Sequence, residues 1–180
     1  MTTRYGSHFV TFSGQKFYPF DPQPEEIHIQ DIAHHLSLIC RFGGSCSWFY
    51  SVAEHSLWVS KLCPPPDRLW GLLHDAAEAY LGDVIRPIKC RPEFAAYRDA
   101  KAALLSAIIQ KFGLAPEMPA SVYNADELML GVEDYNLNGR ISEDADVDAD
   151  YCRNFSLGVT FSVVEAERAF LARFKELNTK

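Results

Sequence analysis

The stretch LWGLLHDAAEAYLGD, residues 69 to 83, constrains the fold more than any other part of the chain. Its leucines, alanines and tryptophan predict a helix packed around most of its circumference, with Asp67 as N-cap and Gly82 as terminator. Such a helix has little polar face, yet it carries His74, Asp75 and Glu78. Consecutive helical residues point about 100° apart, so His74 and Asp75 diverge from the axis but can meet at one point above it. Glu78 follows one turn later on the same broad side. One reading is a polar trio on a solvent-facing edge. With Leu72, Leu73, Ala76, Ala77, Ala79 and Leu81 around it, the trio more readily needs partners, because an unpaired buried charge is very costly. A metal ion is an economical partner for an imidazole and two carboxylates.

The length of 180 residues suits one domain with a substantial core, spanning 1–180. No apolar run is long enough for a membrane span. The opening MTTRYGSHFVTFSG lacks the basic-then-apolar layout of a secretory signal, so a cytoplasmic location is expected. A formal net charge of −7 argues against stable nucleic-acid binding and leaves room for a small anion held by a few cations. Cys40, Cys46, Cys63, Cys90 and Cys152 are scattered without a C-x-x-C spacing, which reads as reduced structural thiols.

Periodicity predicts an all-α fold with a short N-terminal β-hairpin. Residues 8–20 place aromatic and β-branched residues on both sides of Ser13-Gly14. Asp31 is then expected to cap a helix bearing Ile32, Leu36 and Ile39. A second helix is expected over 52–62, ended by the prolines of CPPP. The 69–83 helix follows, then an irregular connection VIRPIKCRP. Further helices are expected over about 93–112, 119–136 and 163–177, with an acidic loop at 142–150.

His55 sits among core-type residues in YSVAEHSLWVS, and Asp126 among apolar residues in VYNADELML. Singly, each reads as a satisfied polar group in a core. Together they complete the order His … His-Asp … Asp. With AEHS, LLHDAAEAYLGD and ADEL quoted in that order, the chain resembles the HD-domain metal-dependent phosphohydrolases over about residues 31–137. The likeness is to small bacterial 5′-deoxynucleotidases and phage deoxynucleoside triphosphohydrolases within that superfamily. The resemblance implies a compact HD-domain helical bundle. It also implies His55, His74, Asp75 and Asp126 as ligands of one divalent ion, among Co²⁺, Mn²⁺, Zn²⁺, Fe²⁺ and Mg²⁺. Glu78 matches the family's catalytic carboxylate, and Asp83 a second position near the nucleotide or leaving oxygen. Arg41 and Lys89 match phosphate-binding cations, while Phe42 and Pro87 are placed to flank a base or sugar. Arg86 is a further cation without a matching position. Tyr123 stands where some triphosphohydrolases carry a lysine.

The implied activity is hydrolysis of a deoxynucleotide by water attack on the α-phosphate. The substrate is then either a dNTP, with dATP the first choice, or a dNMP. The alternatives are a non-catalytic HD module that senses nucleotides and a phosphodiesterase acting on cyclic dinucleotides or nucleic acid. The relatives commonly form homo-oligomers, and Val164, Phe170, Leu171 and Phe174 on the last helix suit core or interface equally. His34 and His35 read as packing residues. Asp144, Asp146, Asp148 and Asp150 lack the glycine and final Glu of a calcium loop and read as a solvated acidic loop.

Overall fold

The computed structural model describes residues 4–141, 147–158 and 160–178. Among these the chain is mostly helical, with a short antiparallel hairpin near its start. Strands β1 (Phe9–Val10) and β2 (Lys16–Phe17) pair Phe9 with Phe17 and Val10 with Lys16. The helices are α1 (Ile29–Leu38), α2 (Val52–Leu62), α3 (Arg68–Leu73), α4 (Glu78–Leu81), α5 (Arg86–Lys89), α6 (Ala95–Phe112), α7 (Ala120–Asn138), α8 (Ala149–Asn154) and α9 (Val163–Leu177). Among the described residues no helix is long and apolar enough to cross a membrane.

Helix α2 is the centre of the packing. Ser51 caps it by accepting from the Glu54 N–H, and every residue from Val52 to Leu57 is buried, as are Val59 and Ser60. Helices α1, α3, α7 and α9 all pack against it. Its apolar residues feed two clusters. One joins Leu57 to Phe17, Ile32, Leu36, Leu73 and Phe170; the other joins Val59 to Trp70, Val122, Met129 and Val132. A helix buried on all sides can keep a polar residue only by giving it partners, and His55 sits in the middle of this one. On α9, Ala166 and Phe170 are fully buried while Val164 is exposed, so the helix face bearing Phe170 serves the core.

Three expectations need correction. Asp31 does not cap α1: His28 occupies that position, and the fully buried Asp31 carboxylate accepts from the Ser13 N–H (2.7 Å) and hydroxyl (2.8 Å). The hairpin turn brings unsatisfied donors within its reach, and that use of the carboxylate fastens the hairpin to α1. The connection after Gly82 is not wholly irregular, since Ile85 leads into the short helix α5. The helix expected across residues 69–81 is also divided. Helix α3 stops at Leu73, and the chain continues with tighter bonds, Ala76 N–H to the Leu73 carbonyl (3.0 Å) and Glu78 N–H to that of Asp75 (2.9 Å). The His74 ring contributes to this break by donating from Nδ1 to the Gly71 carbonyl at 2.8 Å. Bonds between residues three apart wind the chain at about three residues per turn, so side chains three apart eclipse. Asp75 and Glu78 are thereby brought onto one side.

The apposition of α3 and α2 depends on Gly71. A Cβ there would lie 2.8 Å from Cys63 Sγ and 3.1 Å from the Ser60 Cα. Gly71→Ala is therefore expected to destabilise the fold by about 1–3 kcal/mol, read as a lowered urea midpoint with unchanged m-value. An unaltered midpoint would show that α3 can move away without cost. Glu54, buried on α2, accepts from the Phe161 N–H at 3.2 Å, and burial pushes its carboxyl up to about 7 from an ordinary 4.5. The folded chain therefore holds this proton more tightly than the unfolded chain does. Stability falls as pH rises from about 4.5 to about 7 and stays lower above that. Glu54→Gln is expected to remove this part of the decline, measured as the difference between variant and wild-type unfolding free energies across that interval.

Candidate metal centre

His55 from α2, His74 and Asp75 from the turn after α3, and Asp126 from α7 converge in the interior. The two imidazole Nε2 atoms are 3.2 Å apart. Asp126 Oδ1 lies 3.0 Å from His55 Nε2 and 3.6 Å from that of His74. Asp75 Oδ2 lies 3.3 Å from His74 Nε2 and 3.9 Å from His55 Nε2. Ligand atoms of His55, His74 and Asp75 all fall within 4.8 Å of one another, as a group able to hold a metal ion. An ion about 2.1 Å from each donor separates neighbouring donors by about 3.0–3.4 Å, close to most of these spacings.

The hydrogen bonds of the two rings decide their tautomers. His55 Nδ1 meets Glu133 Oε1 at 2.6 Å and His74 Nδ1 meets the Gly71 carbonyl at 2.8 Å. Carbonyl and carboxylate oxygens only accept, so both Nδ1 atoms donate. In neutral rings both Nε2 atoms then carry lone pairs, and two lone pairs at 3.2 Å repel unless positive charge lies between them. The donor set therefore fits a divalent cation.

The titration of the cluster carries the same sign. Burial opposes charge on His74, yet Asp75 and Asp126 hold it well above its ordinary value. Burial and Arg41 oppose charge on His55, and Glu133 and Asp126 outweigh them. Burial would raise Asp75, but His74 and Lys101 hold it well below the usual carboxylate range. Asp126 is likewise held far down, against burial, by the two imidazoles. These acids draw protons onto the rings, in the place where a cation would satisfy them.

Beside this centre opens a cleft of about 450 Å³, a size that suits a small organic ligand. Asp75 and Asp126 line it, as do Arg41, Phe42, Glu78, Asp83, Pro87 and Lys89, so the residues expected around a substrate share one space. Arg86 and Tyr123 also line it. Glu78 is almost fully buried; its Oε1 accepts from Lys101 Nζ at 2.7 Å and its Oε2 has no partner. Burial and then Asp75 push the Glu78 carboxyl up to about 7, against the pull of Lys101. Arg41 is less free than a phosphate clamp would be, because Nε and Nη2 both donate to Glu133 Oε2 at 3.1 and 2.9 Å. Its Nη1 remains, 3.9 Å from Asp75 Oδ2. Phe42 has left-handed backbone at φ 55°, a strained state for a non-glycine residue. Arg41 lies over its ring at 5.3 Å.

Two functional side chains escaped the sequence reading. Glu133 supports His55 and Arg41 and accepts from the Tyr50 hydroxyl at 3.0 Å. Lys101 joins Glu78 and lies 3.5 Å from Asp75 Oδ1. The available signals were weak: Glu133 stands two helical turns after Asp126 on α7, and Lys101 is a lone cation in the alanine- and leucine-rich part of α6. His34 and His35 pack as expected. His34 stacks on Phe12 and pairs with Glu167 at 3.0 Å; His35 donates to the Ala79 carbonyl at 2.8 Å and accepts from the Phe12 N–H at 3.2 Å. Asp148 caps α8, whereas Asp144 and Asp146 lie outside the described residues.

No protein-family model matches the chain. It is 41% identical over 128 residues to the uncharacterized protein YfdR of Escherichia coli, covering 71% of this chain and 70% of that one. It is 38% identical over 122 residues to an uncharacterized protein of Rhodobacter capsulatus, covering 63% of this chain and 62% of that one. The chain belongs to the family of YfdR, whose name assigns no activity.

Because the two rings must give up protons to bind an ion, affinity for Co²⁺ or Mn²⁺ is expected to rise with pH. Titration calorimetry at about pH 6 and about pH 8 should give tighter binding at the higher pH, with proton release seen as a buffer-dependent heat. His74→Ala should abolish it. Binding that is independent of both pH and His74 would place the ion elsewhere.

Proposed function

We propose that the chain is an HD-domain metal-dependent phosphohydrolase that acts on deoxynucleotides in the cytoplasm as a homo-oligomer. The observation that carries the proposal is the pair of facing Nε2 atoms with Asp75 and Asp126 beside them, next to a buried carboxyl with one unpartnered oxygen. His55, His74, Asp75 and Asp126 would hold a divalent ion, which would supply Lewis-acid polarisation of a phosphoryl oxygen and a more acidic water.

The chain's own residues account for the remaining steps. Glu78, whose Oε2 is buried without a partner, takes the proton of the attacking water in this reading. Water oxygen forms a bond to the α-phosphorus as the bond to the nucleoside 5′-oxygen breaks. The departing oxygen needs a proton, and in this reading Asp83, half-buried on the cleft wall, supplies or relays it. Lys89, with the free edge of Arg41, offsets phosphate charge, while Phe42 and Pro87 offer surfaces to the base or sugar. Attack at this phosphorus releases nucleoside from either substrate class. A dNTP yields triphosphate, a dNMP yields phosphate, and dATP remains the first choice among the former.

Incubation with each (d)NMP and (d)NTP under Co²⁺, Mn²⁺ and Mg²⁺ tests the reading. Release of nucleoside with either inorganic product is expected, and the absence of turnover on every one of them would overturn it. Glu78→Ala is expected to lower kcat by about 10²-fold or more while retaining the metal. Unchanged turnover in that variant would remove Glu78 from the reaction, and binding without turnover in the wild type would favour a nucleotide-sensing module.

A further inference from the structure

Helix α6 packs against α4 and touches the segment that bears the acids at both of its ends. Tyr97 donates from its hydroxyl to the Gly82 carbonyl at 3.0 Å. One turn later, Lys101 Nζ donates to Glu78 Oε1 at 2.7 Å and stands 3.5 Å from Asp75 Oδ1. The two oxygens of each acid are thus divided. Asp75 turns Oδ2 toward the imidazoles and Oδ1 toward the ammonium. Glu78 gives Oε1 to the ammonium and leaves Oε2 buried without a partner.

A carboxylate one turn from a ligand carboxylate, on a segment wound so that the two eclipse, has an obvious competing fate. It can turn to a cation and become a further ligand, which would end its usefulness as a proton acceptor. A fixed ammonium between the two acids opposes that outcome in two ways: it occupies one Glu78 oxygen, and it repels a second positive charge close by.

We propose that Lys101 is a positioning residue that keeps Glu78 from ligating the metal, weakening metal binding in order to hold one carboxylate oxygen ready for a proton. Its kinetic part rests on the phosphohydrolase reading; its metal-binding part rests only on the donor set. The direction of the second effect is unusual. Removing a residue that merely supports the fold loosens a metal site, whereas removing this charge tightens it.

The test compares wild type with Lys101→Met, Lys101→Gln and Lys101→Arg, using Co²⁺ alone as the probe, with a thermal melt of each variant. Both neutral variants are expected to bind Co²⁺ on the order of tenfold more tightly. Their visible Co²⁺ spectra should shift as a further carboxylate enters the coordination sphere. Lys101→Arg should stay within about threefold of wild type, since it keeps the charge. On the best nucleotide substrate, the neutral variants should lose about tenfold or more in kcat with KM little changed, and Lys101→Arg should recover most of the loss. Co²⁺ binding that is unchanged or weaker in either neutral variant overturns the proposal, whatever the turnover. Tighter Co²⁺ binding in a protein whose wild type hydrolyses no nucleotide supports the role of Lys101 and overturns the phosphohydrolase reading.

Discussion

Glu133 lies fully buried on α7 and receives hydrogen bonds from His55, Arg41 and Tyr50, drawn from α2, the turn after α1 and the residue before the α2 cap. A carboxylate so far from water is tolerable only with such partners, and here burial is outweighed by Arg41 and His55, which hold Glu133 below its ordinary range. Removing Arg41 would leave Glu133 without its permanent countercharge, and removing Tyr50 would cost it a hydrogen bond. The arrangement also determines the tautomer and angle of the His55 ring, and through them the direction of its Nε2 lone pair. The geometry of the candidate centre therefore depends on an acid outside the expected ligand set.

Charge balance extends this logic outward. Glu133, Asp75, Asp126 and Glu78 are set against Arg41 and Lys101 as permanent cations. The cluster has more carboxylate than fixed positive charge. Its protein-only solution is to push the Glu78 carboxyl up to about 7 and to draw protons onto His55 and His74. A divalent cation meets the same demand without requiring charged rings. The backbone serves this cluster too: the tightened turn from His74 to Ala77 brings Asp75 and Glu78 to one side, and the absence of a side chain at Gly71 lets α3 approach α2.

The candidate ligands were legible because their residue types are out of place. His55, His74 and Asp75 stand in stretches rich in Leu, Val and Ala, so their apolar surroundings mark them as paired or ligating. The helical boundaries were legible for similar local reasons: prolines end α2, and Gly113 closes α6 in left-handed conformation. Asp31 was misjudged because an acid near a helix start has the same local signature whether it caps its own helix or accepts from a hairpin folded across it. Lys101 was invisible because a lysine on a long helix ordinarily faces water.

The sequence by itself determined the helical class, the hairpin, the principal breaks and the residues able to bind a cation, since these follow from propensity, periodicity and side-chain chemistry within a few positions. Only the tertiary structure decided which acid orients which ring, which lysine restrains which carboxylate, and where the helix through His74 tightens. Glu133 meets His55 across 78 positions of chain, and Lys101 meets Glu78 across 23. Hydrogen-bond partnership at such separations depends on how helices cross, and residue spacing along one helix contains no record of the face opposite.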